Sequence, residues 1–379
     1  MEKVSIITVV YNAVKTIEQT IQSVLNQTYP SIEYIIIDGG STDGTVDIIN
    51  KFRDKIDIFI SEKDDGLYDA MNKGIKSASG EIIGILNSDD TYTENAISLV
   101  VDNFRNRPMD VLYGDAMLVD GISEIGLYDC SDIEQLWYRM AIPHPSTFVR
   151  KEIYDKYGVF DTQYLIAADY DLMLRLYCEG VRFGHIDELL TYFRLGGMCM
   201  VRLNEVTEET HTISLKYIGH CNEKEKYLPV IQESYMQMVL LQFSKQNDET
   251  MIAEIKQIIA QSMLDRFVIF GTGMWAERYY EILLQSGALV EFFADNDTSK
   301  WGSTFHDIAI ISPEQLRGYT GHILIGTLQY EQEIHSQLEE MNNNFKIVLL
   351  SDLALSWFNR AIKSDSKVKK NRILEGLEE

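Results

Sequence analysis

Four apolar runs of strand length recur near the start of the chain, and each ends in a polar turn. They are KVSIITVVYN (3–12), IEYIIIDGGSTDGT (32–45), KIDIFISE (55–62) and EIIGILNSDD (81–90). Continuous β-branched runs are typical of strands buried on both faces of a parallel sheet. After the first run, Ile17, Ile21, Val24 and Leu25 recur at helical spacing. Strands that alternate with helices over short links predict a doubly wound α/β fold with a mostly parallel sheet.

Polar turns follow all of these predicted strands, and the turns after the second and third strands contain glycine. Ligands of such sheets bind beyond the carboxyl ends of the strands, so adjacent turns of this kind indicate a binding site. Asp89 and Asp90 follow the fourth strand and can hold a divalent cation, which can bridge the two phosphates of a nucleotide. Asp38, after the second strand, can accept hydrogen bonds from a base or a ribose. Tyr11, after the first, offers an aromatic face and a hydroxyl group to a nucleotide.

The composition limits the possible partners and compartments. The 379 residues suffice for two or three domains, and 45% apolar with 24% charged residues is the composition of an ordinary globular protein. A formal charge of -24 argues against nucleic acid as a partner, because a phosphate backbone requires clustered Lys and Arg. The 4 cysteines are widely spaced and indicate reduced thiols. Because the sequence shows neither a signal segment nor a membrane span, we expect a cytoplasmic protein.

A second α/β domain is expected in the C-terminal part of the chain. The stretch from 266 to 297 again gives strand, turn, helix and strand. Gly271-x-Gly273-x-x-Ala276 lies between the strand and the helix, and Asp295 ends the next strand, which is the dinucleotide-fold fingerprint in its usual context. The region resembles Rossmann-like modules appended to sugar-handling enzymes of polysaccharide clusters. We expect it either to bind NAD or a nucleotide sugar or to have a structural role.

The chain is therefore predicted to have several parts. They are a first α/β domain over 1–202, a helical extension or linker over 203–264, the Rossmann-like domain over 265–352 and a basic tail over 353–379. The tail carries Trp357 and Phe358 beside several Lys and Arg residues. Such a segment either lies on the anionic inner face of a membrane or is solvated.

Five motifs of the first domain occur in the order and spacing of a known enzyme family. They are ITVVYNA, IIIDGGSTDGT, SEKDDGLYDAMNKGIKSASGEIIGILNSDD, HPSTFVRKEIYDKYGVFD and AADYDLMLRLYCEG. The first 200 residues or so thereby resemble the family-two inverting glycosyltransferases of the GT-A fold, especially bacterial members that assemble cell-surface polysaccharides. The resemblance implies transfer of a hexose or N-acetylhexosamine from a nucleoside-diphosphate sugar, UDP being the expected nucleotide. The implied acceptor is a saccharide or a lipid-linked saccharide.

The resemblance also implies which residues contact the donor. NSDD stands where the family has its Asp-x-Asp motif, with Asn87 in place of the first aspartate. Asp89 is then the expected ligand of Mn²⁺ or Mg²⁺ on the donor diphosphate, although Asn87 removes one carboxylate and puts metal dependence in question. Ser88 and Asp90 are expected at the donor sugar or the metal shell. The residues expected at the base and ribose are Thr8, Tyr11, Asp38 and Asp64.

A single-displacement reaction needs a carboxylate that takes the proton of the acceptor hydroxyl. The family places this base in the motif AADYD, usually as Glu-Asp where this chain has Ala168-Asp169. Asp169 is therefore the expected base, and the alternative is an acid that merely stabilises a helix start. Asp171 is expected to support the site or to cap structure. His144 is either a site residue or a structural loop residue, and Arg194 either contacts the diphosphate or forms a surface ion pair.

Other functions require features that the sequence does not show. A sugar-nucleotide pyrophosphorylase needs a glycine-rich phosphate loop with a basic residue, which TVVYNAVKT is not. An NAD-linked, sugar-modifying enzyme acting through the second domain needs a catalytic acid near Gly271 and Gly273, and none stands out. A non-catalytic nucleotide-sugar-binding or scaffold protein is the alternative if Asn87 has disabled the metal site. The sequence does not specify the donor sugar, the acceptor, the linkage or the oligomeric state.

Overall fold

The chain folds into two compact units. The computed structural model describes residues 1–121, 123–130, 132–244, 248–327, 330–341 and 345–364. Within these ranges the first unit extends from Met1 to Tyr235, and the second begins at Met236. Strands and helices alternate in both units. The predicted α/β fold class, with a second sheet in the C-terminal region, is confirmed.

The first unit begins with regular alternation of strands and helices and is less regular afterwards. Its strands are β1 (Val4–Val10), β2 (Ile32–Asp38), β3 (Ile58–Ser61), β4 (Ile82–Asn87), β5 (Thr91–Tyr92), β6 (Val111–Asp120), β7 (Ser123–Leu127), β8 (Thr147–Arg150) and β9 (Phe183–Arg194). Its helices are α1 (Ile17–Leu25), α2 (Thr45–Asn50), α3 (Leu67–Ser77), α4 (Ala96–Asn106), α5 (Lys151–Tyr157), α6 (Ala168–Cys178), α7 (Met198–Val201) and α8 (Leu203–Tyr217). Helix α9 (Lys224–Ser244) crosses the boundary between the units.

The strands of the first unit form a mixed sheet in which the parallel part comes first. The strand order is β3-β2-β1-β4-β8-β6-β9-β5, and β7 pairs with β6. Strands β3, β2, β1 and β4 are parallel to one another. Strand β8 is antiparallel to both of its neighbours, and β6 is parallel to β9. The carboxyl ends of the first four strands therefore meet at one edge of the sheet, which is where a ligand site is expected.

Helices on both faces bury the central strands completely. All 7 residues of β1 are buried. Ile7 packs in the core that includes Met71 of α3, whereas Ile6 packs in the core that includes Ile21 of α1 and Val100 of α4. Alternate residues of one strand thus serve two cores, and this explains why the sequence shows a continuous apolar run in place of alternation.

A charged residue inside this sheet is held by a dense set of donors. The Glu33 side chain of β2 is buried and accepts hydrogen bonds from Lys3 Nζ (2.7 Å), Ser5 Oγ (2.5 Å) and both the N–H and the hydroxyl of Ser79 (2.7 and 2.6 Å). Burial alone would raise the pKa of Glu33, but these donors outweigh it and lower the pKa to about 2. The ionised carboxylate thus ties β1, β2 and the start of β4 together.

We expect Glu33→Gln to destabilise the protein at neutral pH and to have little effect in acid. The native carboxylate has its pKa lowered from 4.5 to about 2, so its contribution is present above pH 4.5 and is lost as the pH falls towards 2. At pH 7 the loss of these hydrogen bonds should cost about 1–3 kcal/mol of unfolding free energy. Urea unfolding at several pH values measures the difference. Glu18→Gln on the exposed face of α1 is the control and should show no such pH-dependent loss.

The second unit contains a smaller parallel sheet. Its further helices are α10 (Asp248–Ser262), α11 (Met274–Gln285), α12 (Glu331–Glu340) and α13 (Leu350–Ser364). Its strands are β10 (Arg266–Phe270), β11 (Leu289–Ala294), β12 (Thr304–Phe305), β13 (Ile308–Ile311), β14 (His322–Ile325) and β15 (Lys346–Val348). The order is β12-β13-β11-β10-β14-β15, and only the β12–β13 pair of these is antiparallel. The predicted strand, turn, helix and strand over 266–297 are present as β10, α11 and β11.

The segments between and after the two sheets differ in detail from the predicted parts. The predicted helical extension, 203–264, contains α8, α9 and α10, and the unit boundary falls inside α9. The predicted tail begins with helix α13, in which Phe358 is fully buried, so Phe358 cannot lie on a membrane. The rest of that tail, residues 365–379, lies outside the described residues.

Candidate active site

The loops that follow β1 and β2 are joined by hydrogen bonds. Asn12 adopts a left-handed conformation (φ 50°) and donates its N–H to Ser41 Oγ at 2.8 Å. Its side-chain oxygen accepts the N–H of Thr42 at 2.9 Å. Tyr11, the preceding residue, is 65% exposed. The Tyr11 ring is therefore accessible, and the backbone beside it is held by hydrogen bonds. Its contact with a nucleotide stays a prediction.

Asp38 ends β2 and organises the glycine-rich loop. Its carboxylate is fully buried and accepts the N–H of Ser41 (3.1 Å) and the hydroxyl of Ser61 (2.6 Å). The loop passes so close to Asp64 that a Cβ on Gly39 would lie 2.5 Å from Asp64 Oδ2. Asp64 is half-buried, and burial raises its pKa. Asp64 thus lies beside the glycine-rich loop that the Asp38 carboxylate holds. The contacts of Asp38 and Asp64 with a nucleotide stay predictions.

The two aspartates after β4 have different environments. Asp90 is fully buried; its Oδ1 accepts the N–H of Arg194 (2.9 Å) and its Oδ2 the amide of Asn87 (3.3 Å). Its carbonyl accepts the hydroxyl of Thr20 at 2.8 Å. Burial raises the pKa of Asp90 well above its usual range, and the charge of Asp89 adds to this effect. Both oxygens of Asp90 are buried and bonded within the protein, and its expected place at the donor sugar or the metal shell stays a prediction.

Asn87 and Asp89 present the ligand atoms of this turn. Asn87 Oδ1 is buried and has no hydrogen-bond donor among the described residues, an arrangement that is costly unless a ligand satisfies it. Burial raises the pKa of Asp89, while the guanidinium of Arg194 opposes this effect. Arg194 also donates from Nε to the Asp89 carbonyl at 3.2 Å and so fixes the turn. An amide oxygen and a carboxylate on one rigid turn, with Ser88 half-buried between them, fit a hard cation such as Mn²⁺ or Mg²⁺.

The Thr8 side chain is buried within the first unit. The residue is fully buried in β1, and its hydroxyl is 3.1 Å from the hydroxyl of Tyr34 on β2. Strand alternation directs this side chain into the core between the sheet and its covering helices. A contact of Thr8 with a nucleotide stays a prediction.

Asp169 lies in the first turn of α6 with one of its two carboxylate oxygens held by the protein. Its Oδ1 accepts the hydroxyl of Tyr68 (3.0 Å) and the N–H of Tyr170 (2.9 Å). In the described part of the chain no donor bonds to Asp169 Oδ2. The Tyr68 hydroxyl shares its single proton between Asp169 and the Ile166 carbonyl, which lies 2.7 Å away, so this tyrosine contacts both the carboxylate and the loop before it. The geometry leaves Oδ2 available to accept a proton.

A residue that the sequence analysis missed holds the backbone in front of Asp169. Glu209 of α8 accepts the N–H of Leu165 at Oε1 (2.7 Å) and the N–H groups of Ile166 and Ala167 at Oε2 (2.9 Å each). These donors directly precede α6, and one carboxylate satisfies all of them. No local pattern indicated Glu209, because it lies 44 positions after Leu165.

We expect Glu209→Gln to lower both stability and turnover. A single amide oxygen cannot serve all the N–H groups and leaves at least one buried donor unpaired, which costs about 1–3 kcal/mol of unfolding free energy. Because the loop positions Asp169, kcat should fall while the donor KM stays nearly unchanged. Thermal unfolding and steady-state kinetics measure the two effects. Glu208→Gln, next in sequence, is the matched control, since in the described part of the chain Glu208 accepts the Tyr235 hydroxyl and none of the N–H groups of this loop; an equal loss of kcat in both variants would contradict the positioning role.

Cys199 of helix α7 lies within electrostatic range of the carboxylates of Asp89 and Asp169. Burial raises the pKa of the Cys199 thiol to about 11, and the charges of Asp169 and Asp89 add to this effect. A Cβ on Gly197, just before the helix, would lie 3.7 Å from Asp89 Oδ2. The segment after β9 therefore lies beside Asp89 and extends towards Asp169. The charges of both carboxylates therefore act on Cys199, although the two aspartates are distant in sequence.

The remaining candidates from the sequence are Asp171 and His144. Asp171 is buried and accepts the ammonium of Lys216 at 2.8 Å, which agrees with the expected supporting role. His144 packs against the ring of Phe160, with ring centroids 5.8 Å apart. Burial lowers the pKa of His144, while the charge of Asp169 opposes this effect. His144 therefore lies near Asp169 as a mainly neutral ring.

Sequence comparison identifies the family. A family model described as Glycosyl transferase family 2 matches residues 5–124. Over 224 residues the chain is 31% identical to the UDP-Glc:alpha-D-GlcNAc-diphosphoundecaprenol beta-1,3-glucosyltransferase WfaP of Escherichia coli, covering 58% of this chain and 88% of WfaP. The chain belongs to glycosyl transferase family 2. This glycosyltransferase is also 34% identical, over 185 residues, to an uncharacterised glycosyltransferase of Mycobacterium tuberculosis, covering 47% of this chain and 71% of that protein.

Solved structures share the fold of the glycosyltransferase. Staphylococcus aureus TarS 1-349 in complex with UDP superposes with a TM-score of 0.53 at 19% identity, covering 68% of this chain and 78% of that chain. A second TarS structure gives a TM-score of 0.51, covering 62% of this chain and 43% of that chain, so the present chain spans less than half of it. The predicted GT-A-like fold is confirmed by this likeness.

The second unit of the glycosyltransferase contains a cavity of its own. A family model described as C2185-like, N-terminal, matches residues 263–348. The cavity, of about 450 Å³, is lined by the predicted fingerprint residues Gly271, Gly273 and Asp295 and by Trp275. Asp295 accepts Lys300 Nζ at 2.8 Å, so the acidic residue is already ion-paired.

None of the described helices is both long and apolar enough to cross a bilayer.

Proposed function

We propose that this glycosyltransferase moves a sugar from a UDP-sugar to a saccharide or lipid-linked saccharide acceptor, with inversion, in cell-surface polysaccharide synthesis. The observation that carries the proposal is that the segment after β9 lies beside Asp89, 3.7 Å from a Cβ on Gly197, and that the charges of both Asp89 and Asp169 act on Cys199 in the same segment. The name of WfaP specifies UDP-Glc and a diphosphoundecaprenol-linked acceptor, and TarS was solved with UDP. A lipid-linked acceptor would bring the enzyme to the inner face of the membrane.

The donor side of the proposed site combines a fixed backbone with hard oxygen ligands. Asn87 Oδ1 and the carboxylate of Asp89 would hold Mn²⁺ or Mg²⁺, which when bound neutralises charge on the diphosphate leaving group. Tyr11 offers its exposed ring to the base. Asp64, close to the backbone of Gly39, is placed to accept a hydrogen bond from the base or ribose.

Asp169 is the proposed general base. Its Oδ2 accepts the proton of the acceptor hydroxyl as the hydroxyl oxygen bonds to the anomeric carbon. The bond from that carbon to the diphosphate oxygen breaks, and its electron pair leaves with UDP. Tyr68 holds Oδ1 and keeps the carboxylate oriented. One displacement from the face opposite the leaving group inverts the configuration at the anomeric carbon.

A thermal-shift panel of UDP, GDP, ADP and UDP-sugars, with and without Mn²⁺, tests the donor class. A ligand that binds only the folded protein raises the unfolding midpoint in proportion to the logarithm of its concentration over Kd. UDP and one UDP-sugar should give the largest Mn²⁺-dependent shifts. A larger shift from GDP or ADP would overturn the assignment of uridine.

The cavity of the second unit favours a second binding function for the Rossmann-like module. It combines the glycine-rich turn before α11 with the ammonium of Lys300, which also lies 3.0 Å from the hydroxyl of Thr272. A helix start and a nearby cation suit the phosphates of NAD or a nucleotide sugar. We therefore propose that this module binds such a nucleotide independently of the first unit.

Quenching of Trp275 fluorescence by NAD and by UDP-sugars tests this second site. A Cβ on Gly273 would meet no protein atom within 4 Å, and the residue has a φ of -88°, so Gly273→Ala should fold normally. If a phosphate approaches this backbone closely, the variant should bind at least about tenfold more weakly, equivalent to about 1.4 kcal/mol. Unchanged binding in Gly273→Ala, or none in the wild type, would leave the module with a structural role.

A further inference from the structure

Three metal-ligating side chains converge beside the middle of β6. His185 Nε2 lies 3.0 Å from Asp115 Oδ1, and Cys130 Sγ lies 3.5 Å from each of these atoms. Asp115 belongs to β6 and His185 to β9, while Cys130 follows β7. Cys130 is buried, and the other two side chains are about a quarter exposed (23% and 24%). The cluster therefore has one protected side and one side open to a small ligand.

The separations of these atoms match those around a tetrahedral zinc ion. With Zn–O and Zn–N bonds of about 2.0–2.2 Å and a Zn–S bond of about 2.3 Å, tetrahedral geometry separates the ligand atoms by about 3.3–3.6 Å. The distances of 3.0, 3.5 and 3.5 Å require only small side-chain adjustments to reach this range. A thiolate and an imidazole are also the softer ligands that favour zinc over Mn²⁺ or Mg²⁺.

The backbone and the neighbouring side chains already hold the cluster in place. The pairing of β6 with β9 shifts register on both sides of Asp115, and such bulges redirect side chains. The ring of His185 stacks on Tyr113 with centroids 5.0 Å apart. His185 Nδ1 lies 3.4 Å from a carboxylate oxygen of Asp187, an arrangement that commonly orients a metal-bound imidazole.

This cluster is separate from the acidic turn of the proposed donor site. Arg194, which holds that turn, pairs with Val119, four residues beyond Asp115 along β6. Four residues of a strand span about 13 Å. Because ligand atoms lie within about 2.3 Å of a zinc ion, one ion cannot bind both groups. The two sites also differ in chemistry, since the acidic turn offers only oxygen ligands.

We propose that Asp115, Cys130 and His185 bind a Zn²⁺ ion whose fourth position is open to water or another small ligand. The ion would join β6, β9 and the segment after β7, and so stabilise the part of the sheet that extends from the acidic turn. In the metal-free protein the same atoms satisfy one another as a hydrogen-bonded cluster. The proposal does not depend on the donor or the acceptor of the transferase reaction.

Cobalt substitution tests the site directly. The full-length protein is treated with a chelator, dialysed and titrated with Co²⁺, whose bond to a thiolate gives a charge-transfer absorption in the near ultraviolet. We expect one Co²⁺ per chain with this band, loss of the band in Cys130→Ser and at least about tenfold weaker binding in His185→Gln, equivalent to about 1.4 kcal/mol. Cys178→Ser, which changes a half-buried thiol elsewhere, and Asp89→Asn, which changes the acidic turn, should keep the band.

The wild-type protein alone can overturn the proposal. A Co²⁺ titration without a thiolate band would exclude Cys130 as a ligand, whether or not any variant folds. A band that persists in folded Cys130→Ser, or that disappears in Cys178→Ser, would place the metal elsewhere. A chelator should also lower the unfolding midpoint of the zinc-loaded wild type but not that of Cys130→Ser, because a bound ion stabilises only the folded state that holds it.

Discussion

Asp169→Asn should reduce sugar transfer by about two to four orders of magnitude, the usual contribution of a general base. The amide has a similar volume and can still accept the hydrogen bond from Tyr68, so the fold and the donor affinity should persist. The oxygen that has no donor among the described residues is the one that would take the proton, and an amide cannot take it. Transfer kinetics should show a lower kcat with a nearly unchanged donor KM, as expected when only a transition-state interaction is lost.

Asp171→Asn, two positions further along α6, is the matched control. The same chemical change there weakens the buried ion pair with Lys216 and should lower the unfolding midpoint, while the folded enzyme keeps most of its specific activity. NMR of the product of the wild-type enzyme should show the anomeric configuration opposite to that of the donor. Retained activity in Asp169→Asn, or a product with retained configuration, would rule out this base and this single displacement.

Asp89→Asn should remove most of the metal-dependent part of UDP binding. We expect affinity in the presence of Mn²⁺ to fall by about tenfold to a hundredfold, equivalent to about 1.4–2.8 kcal/mol, because the variant loses the charged ligand of the cation. Calorimetry with UDP, with and without Mn²⁺, measures this difference. Since burial raises the pKa of Asp89, protons should compete with the metal at higher pH than for an ordinary aspartate. The benefit of Mn²⁺ in the wild type should therefore decline as the pH falls through the mildly acidic range.

Asp90→Asn is the control for this prediction, because it makes the same change at the next residue. Asp90 is fully buried, and burial raises its pKa well above the usual range, so an amide resembles its neutral form. This variant should keep the Mn²⁺-dependent affinity for UDP. Unchanged metal dependence in Asp89→Asn would move the ion away from the acidic turn, and loss of it in Asp90→Asn alone would reverse the roles of the two aspartates.

The sequence by itself determined the α/β class, the succession of strands and the edge at which the polar turns meet. These features follow from local pattern, because continuous β-branched runs that alternate with helices favour a buried, mostly parallel sheet. The same pattern places Asp38 at the end of a strand and Asp64 and Asp89 after strands, where the structure has them. The fingerprint turn of the second unit is also a local feature, and Gly271 and Gly273 line its cavity.

Only the tertiary structure decided which of these polar side chains are buried and which are accessible. Asp89 and Asp90 are adjacent, and contacts with Thr20 and Arg194, far away in sequence, determine that Asp90 is buried. The burial of Thr8 also depends on tertiary packing, because only the packed sheet shows where its hydroxyl lies. Glu209 reaches the loop before α6 across 44 positions, and Asp115 meets His185 across 70. Such pairs depend on how distant segments pack, and local periodicity contains no information about that packing.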